Sequence, residues 1–192
     1  MNFLEQRIAH DGRALDGSIL LVDSFINHQV DMELMQRVGH AFAEYFHGRG
    51  IARVLTVESS GIAPAGMTAL SLSVPLVVLK KKASRITGES VYQAAVRSYT
   101  KNVSYQLTVS KSFMPAGEKV LFVDDFLATG QAALGVHEIV KESCCELAGI
   151  GIVIEKTFQP GRSRLDSMGI DVFSLARVER MSDQGIWFVQ AE

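Results

Sequence analysis

Two adjacent carboxylates, Asp124 and Asp125, follow an apolar run, Val120 to Val123, and lead through Phe126 and Leu127 to a small-residue turn, Ala128-Thr129-Gly130. Gln131-Ala132-Ala133-Leu134 then opens a helical pattern. The order reads as strand, acidic step, tight turn, helix. A turn entering a helix presents unpaired backbone N–H groups and the positive end of the helix dipole, which together suit a phosphate. Gly130 lets a ligand approach the backbone closely and can take a positive φ. Thr129 adds a hydroxyl donor. The two acids would repel that phosphate unless they hold something else. Sugar hydroxyls, or a divalent cation bridging to the anion, supply that partner, because hard cations take oxygen ligands. Phosphate, polyol and Mg²⁺ together describe a phosphorylated sugar. The same residues also fit an acidic strand end followed by an ordinary turn.

Other polar groups fall where the same ligand would extend. Glu58-Ser59-Ser60-Gly61 lies between an apolar strand, Ala52 to Val57, and a helical pattern over about 62–72. In a parallel sheet that loop shares an edge with the central turn, and its amides, hydroxyls and glycine fit an anion. They fit a routine loop with a serine cap as well. Lys80-Lys81-Lys82 and Arg85 follow the strand Val74 to Leu79. Beside the site they would stabilise an anionic leaving group; elsewhere such a run is a solvated surface. One or two of the four are expected to matter. Lys156 stands just past a buried strand, Ala148 to Ile154, where a lysine can point into a crevice. Asn27 sits in a polar loop, residues 23–29, and Leu20 in the short extended run Ile19 to Val22. Spacing alone assigns Leu20 to the core and Asn27 to a turn. The five histidines show no metal-ligand spacing. Gly-x4-Gly-Lys and Gly-x-Gly-x-x-Gly motifs are absent.

The positioning elements follow from periodicity. Helical spacing covers residues 2–9, then Asp31 caps a helix whose apolar positions are Met35, Val38, Phe42, Tyr45 and Phe46. Strand, helix, strand over 52–79 predicts a right-handed parallel crossover. Residues 80–104 break the pattern; a structureless loop of that length in a compact domain is usually functional. Val91 to Tyr99 and Gln106 to Val109 are expected to pair antiparallel beside it. A helix is expected over about 131–144 and a short one over about 161–168. Strands over 172–178 and 186–190 finish the chain.

Composition narrows the classes. The 192 residues suffice for one domain with a sizeable core. A net charge of −2 does not suggest nucleic acid as the main ligand. Val74 to Leu79 is too short to span a bilayer. The first residues lack the pattern of a signal peptide, so a cytoplasmic protein is expected. Cys144 and Cys145 are adjacent and late in a predicted helix, which does not describe a disulfide framework.

Residues 120–130, Val-Leu-Phe-Val-Asp-Asp-Phe-Leu-Ala-Thr-Gly, resemble the phosphoribosyl-pyrophosphate (PRPP) motif of the type I phosphoribosyltransferases. Many relatives carry Gly and Thr where this chain has Gln131 and Ala132. A hydroxyl is lost there, so backbone N–H groups must carry more of the phosphate. Gln131-Ala132, with Asn27 and Lys156, is similar to the xanthine-using branch, and the similarity runs over nearly the whole chain. The resemblance implies an α/β fold with a mostly parallel central sheet flanked by helices, in one domain. A small hood would come from about residues 1–30 and part of the C-terminal region. It implies transfer of the phosphoribosyl group of PRPP to N9 of xanthine, with release of pyrophosphate. Asp124 and Asp125 would be the catalytic acids, holding the ribose hydroxyls. Ala128, Thr129, Gly130, Gln131 and Ala132 would hold the 5′-phosphate of PRPP. Ser59, Ser60, Gly61, Lys80 and Lys81 would take pyrophosphate, and Leu20, Asn27 and Lys156 the base. Mg²⁺ would arrive with PRPP, without a dedicated protein metal site. The loop over about 82–104 would close on the site. The partners would be small molecules and a second copy of the chain, with no nucleic acid and no membrane. PRPP-sensing transcription regulators share the central motif, and enzymes for adenine or for hypoxanthine and guanine share the fold.

Overall fold

The computed structural model describes residues 1–81, 90–98 and 103–190. Helix α1 (Phe3–Asp11) starts at an Asn2 cap: the Asn2 side chain accepts from the Leu4 and Glu5 N–H groups, and the Glu5 side chain returns to the Asn2 N–H. A hairpin of β1 (Arg13–Leu15) and β2 (Ile19–Leu21) follows. Residues Asp23–Asn27, expected as a polar loop, form a π-helical turn instead, because adjacent Phe25 and Ile26 are both driven into the core. Asp31 caps α2 (Met32–Tyr45) as its position suggested, accepting from the Leu34 N–H at 3.0 Å.

The middle of the chain runs β3 (Ile51–Val57), α3 (Ile62–Leu72), β4 (Leu76–Leu79), and then an antiparallel pair, β5 (Val91–Ser98) and β6 (Val103–Ser110). Next come β7 (Lys119–Leu127), α4 (Gln131–Glu142), β8 (Glu146–Lys156), the short α5 (Gly161–Asp166), β9 (Val172–Ser182) and β10 (Gly185–Phe188). Two boundaries differ from the sequence reading in ways that bear on the site. Strand β7 does not stop at Val123; it runs on through both acids to Leu127, because β8 continues to pair with it, Asp124 against Ile152 and Phe126 against Ile154. Strand β8 runs two residues past Ile154, so Lys156 is its last residue rather than a residue beyond it. Helix α4 ends at Glu142, so Cys144 and Cys145 lie past it, both as free thiols. Lys82, Arg85 and the parts of the expected closing loop at residues 82–89 and 99–102 lie outside the described residues, while its described part forms β5 and the start of β6.

One six-stranded sheet carries the fold, in the order β10-β9-β8-β7-β3-β4. Every neighbouring pair is parallel except β9 with β10. Successive strand residues face opposite sides, and the core divides accordingly. Val54, Leu121 and Val123 pack under α1, α2 and α3. Leu55, Val120 and Phe122 pack under α4 and the β5–β6 pair. Large side chains such as Phe42 and Phe122 are fully buried, and each contributes on the order of 1.5–3 kcal/mol. The N-terminal segment folds back on the C-terminal strands, where Asn2 Nδ2 donates to the Leu175 carbonyl at 2.6 Å. Among the described residues, no helix is long and apolar enough to cross a membrane.

Candidate active site

Strand order reverses between β3 and β7. From β3 the chain crosses outward to β4; from β7 it crosses the other way to β8. Such a reversal leaves a crevice outside the carboxyl ends of the two strands. The loops leaving those ends are Glu58–Gly61 and Ala128–Gly130, the two anion-binding candidates. They line two adjoining cavities. The larger, about 310 Å³, is bounded by Ala128 to Ala133 together with Phe122 and Phe126. The smaller, about 150 Å³, is bounded by Glu58, Ser59, Ser60, Lys81 and Asp125. Asp124, Ala132 and Tyr105 belong to both.

The larger cavity is built by a helix start. Gly130 sits at the N-cap of α4 with φ +80, a left-handed conformation that strains other residues. The first N–H groups of α4 have no partner within the helix and stand ready for an anion. No side-chain hydroxyl comes from Ala132, so Thr129 is the one hydroxyl in the turn.

Asp124 lies where the cavities meet, and Asp125 lines the smaller one. Asp124 is 9 % exposed, and its Oδ1 accepts from the Asp125 N–H at 3.0 Å. Burial pushes the Asp124 carboxyl well above the usual carboxylate range, and the neighbouring Asp125 charge pushes it further. Burial also raises Asp125, against an opposing hydrogen bond from Asp124. The Glu58–Gly61 loop is packed onto this pair: a Cβ on Gly61 would stand 2.8 Å from Asp124 Oδ1. Among the described residues, no three His, Cys, Asp or Glu side chains converge as a metal cage. Two carboxylates with raised pKa values, Asp124 buried and Asp125 half-buried, do fit a cation that brings the rest of its oxygen shell with the substrate.

The two described lysines both meet Glu58. Lys81 lines the smaller cavity, and its backbone N–H donates to Glu58 Oε1 at 2.7 Å. Lys80 reaches the same loop through its side chain: its Nζ lies 3.4 Å from Glu58 Oε2, and its backbone bridges to Thr108. Of the base-contact candidates, Lys156 Nζ donates to the Ser18 carbonyl at 2.7 Å, in the β1–β2 hairpin, and lies 5.4 Å from the centre of the Phe126 ring. Burial lowers its pKa. Leu20 is buried in the hairpin's second strand, in the cluster against which Phe126 packs. The structure therefore brings Lys156 beside Phe126 and against the hairpin that carries Leu20. Asn27 is exposed at the end of the π turn, with no hydrogen bond to Lys156.

Sequence reasoning passed over four residues here. Tyr105 stands at the junction of the cavities, 5.7 Å from Lys81 Nζ to its ring centre, with its phenol pKa raised by burial and by the Asp124 charge. Phe126 lies inside the central motif, yet reads there only as an apolar spacer. Gln159 reaches the larger cavity from beyond β8. Arg164 donates through Nη1 to the Thr129 carbonyl at 2.9 Å. Strand alternation along β6 was the one available signal for Tyr105.

The sequence pattern of the phosphoribosyl transferase domain matches residues 29–177. The chain belongs to this family. Xanthine phosphoribosyltransferase 1 of Clostridium botulinum is 50% identical over 190 residues, 99% of this chain and 100% of that protein. The xanthine phosphoribosyltransferase of Listeria innocua is 48% identical over 192 residues, covering 100% of both. Among solved structures, adenine phosphoribosyltransferase of Saccharomyces cerevisiae, complexed with adenine and an imino-altritol bisphosphate, is 28% identical, with a TM-score of 0.73 over 90% of this chain and 98% of that one. The fold is that of the type I phosphoribosyltransferases, and both candidate loops, Glu58–Gly61 and Ala128–Gly130, fall within the region that the phosphoribosyltransferase pattern covers.

Proposed function

We propose that this phosphoribosyltransferase transfers the 5-phosphoribosyl group of PRPP to N9 of xanthine, giving xanthosine 5′-monophosphate and pyrophosphate. The observation that carries the reading is the pair of adjoining cavities at the strand reversal, with Asp124 where they meet and Asp125 beside it on the smaller. The larger cavity suits a 5′-phosphate at the start of α4, the smaller suits pyrophosphate, and ribose between them meets Asp124 and Asp125. Displacement at the anomeric carbon needs no covalent nucleophile. Catalysis rests on alignment and on stabilising the charge of the leaving group. Lys81, Ser59 and Ser60 supply that stabilisation. Mg²⁺ bound to PRPP would neutralise pyrophosphate charge, with Asp124 and Asp125 as the carboxylates that face it. Full-length relatives named for xanthine support the base assignment.

Lys156 and Phe126 form the base site in this reading. One of the three ammonium donors of Lys156 is held by Ser18, and two remain for the oxygens of xanthine. Adenine offers an amine where xanthine has its C6 oxygen, so lysine and adenine would set donor against donor. Losing a hydrogen bond to a charged group costs about 1.5–3 kcal/mol. Lys156→Met is therefore expected to lower kcat/KM for xanthine by about 10–100-fold, narrow the gap among bases, and leave PRPP affinity intact. Steady-state rates with xanthine, guanine, hypoxanthine and adenine test this. A wild-type preference for adenine, the base named for the structural neighbours, would overturn the assignment, as would an equal loss for every base.

The protein is proposed to act in the cytoplasm on small molecules, as one domain with the N-terminal hairpin and C-terminal strands as its hood, and as a two-fold dimer, the commonest closed assembly. Light scattering at working concentration should return twice the chain mass of 21.0 kDa; a monomer would count against the dimer.

A further inference from the structure

Helix α5 has no part in the reaction as set out above, yet it is bound to the phosphate turn at successive peptides. The Gly161 N–H donates to the Ala128 carbonyl at 2.9 Å. Arg164 Nη1 donates to the Thr129 carbonyl, also at 2.9 Å. Contact is too close for a side chain: a Cβ on Gly161 would stand 2.4 Å from the Ala128 oxygen and 3.0 Å from the Gly130 nitrogen.

The helix is itself fastened to the sheet from beneath. Glu155 is 0 % exposed. It accepts from Arg162 twice, Nε to Oε1 at 3.1 Å and Nη2 to Oε2 at 2.6 Å. The same guanidinium donates to the Val172 carbonyl at 2.6 Å and to Ser174 Oγ at 3.2 Å. A forked arginine with four of its five donors engaged holds one geometry. Its neighbours in sequence, Gly161 and Arg164, are thereby fixed against the turn.

Peptide geometry turns that contact into a functional one. In a trans peptide the carbonyl and the following N–H point in opposite directions, and the peptides at Ala128–Thr129 and Thr129–Gly130 are trans. Tying the Ala128 and Thr129 carbonyls to α5 turns the N–H groups of Thr129 and Gly130 away from it. The cavity lined by Ala128 to Ala133 borders the same turn. A turn that lacks a hydroxyl at Ala132 depends on its N–H groups being well aimed.

We propose that α5 is the positioning element of the phosphate turn: Gly161 and Arg164 set the orientation of two phosphate-binding peptides, and the Arg162–Glu155 pair sets α5. This rests on the phosphoribosyl reading of the larger cavity. None of these side chains needs to touch substrate.

The two phosphate subsites allow the test to be internally controlled. Ribose 5-phosphate probes the turn, and inorganic pyrophosphate probes the Glu58–Gly61 loop. Gly161→Ala, Arg164→Met and Arg164→Lys are compared with wild type by calorimetric titration of each probe and by KM for PRPP and for xanthine. Displacing a binding group by about 1 Å costs up to roughly a hundredfold. Gly161→Ala and Arg164→Met should therefore weaken ribose 5-phosphate and raise KM for PRPP by about 10–100-fold. Pyrophosphate affinity and KM for xanthine should stay within about twofold, and Arg164→Lys, which keeps a donor, should recover most of the loss. Should Gly161→Ala fail to fold, the two Arg164 variants decide alone. Unchanged ribose 5-phosphate affinity in a folded variant would overturn the proposal. So would equal weakening of both probes, which marks a merely structural helix. A wild type that forms no nucleotide from PRPP with any purine would instead overturn the underlying function, and the proposal with it.

Discussion

The double variant Asp124→Asn with Asp125→Asn is expected to lose about a thousandfold in kcat/KM for PRPP, the scale seen when preorganised electrostatic groups are removed from a reacting centre. It should do so without losing stability. Asp124 Oδ1 accepts the Asp125 N–H, and an asparagine oxygen at the same place keeps that bond. What disappears is buried charge. The sign follows from linkage: a carboxyl whose folded pKa is raised binds more protons folded than unfolded between the ordinary carboxylate value and the raised one. Stability therefore falls as pH rises through that window, and above it the two ionised acids weigh against folding. Both acids have raised values, through burial first. Near neutral pH the double variant should melt at or above the wild-type temperature. The wild type carries a second signature. If the ionised pair holds the sugar, kcat/KM for PRPP should fall with decreasing pH at a higher pH than an ordinary aspartate would set. Rates across pH, with melting curves for both proteins, check both statements. Full activity in the double variant, or parallel loss of activity and stability, would make the acids structural.

These acids were legible because everything they need locally is contiguous. Val120 to Val123 reads as a buried strand, Ala128 to Gly130 as a turn, and Gln131 onward as a helix, within fifteen residues. The end of β7 was not legible. An acidic pair reads as a strand terminus, but β8 supplies Ile152 and Ile154 as neighbours, and pairing across strands carries β7 on to Leu127. That information sits some 30 residues away in the chain and has no local imprint. The lysines read in sequence as one basic run; in the structure Lys81 lines the smaller cavity, and Lys80 is ion-paired to Glu58, which lines it too. Tyr105 and Arg164 were hidden for a different reason. Each enters the site from a segment whose neighbours are fixed only once the order β8-β7-β3 is known. Gly161 reads in sequence as an ordinary glycine after proline, and only the 2.4 Å approach of its missing Cβ to Ala128 reveals why it is small.

Gly130→Val is expected to abolish tight PRPP binding, with a loss above about a hundredfold, and the reason combines two effects that separate experimentally. The first is backbone conformation. Gly130 has φ +80, and a β-branched residue there is a genuine outlier, costing about 1–3 kcal/mol if the turn is held in place. The second is crowding. A Cβ at this position would lie 3.1 Å from the Gly161 Cα and 3.4 Å from its carbonyl oxygen, so the side chain is driven against backbone that cannot swing aside. The turn relieves both by moving, and its N–H groups then miss the phosphate. Gly130→Asn distinguishes the contributions, because asparagine tolerates the left-handed region while carrying the same Cβ. If conformation dominates, the asparagine variant should bind PRPP within about tenfold of wild type; if crowding dominates, it should fall with the valine variant. Neither change touches the sheet, so circular dichroism should remain that of the wild type, with the valine variant melting a few degrees lower. Calorimetric titration with PRPP and Mg²⁺ reads the outcome directly. Wild-type affinity in a folded Gly130→Val protein would mean that the turn before α4 does not hold the phosphate.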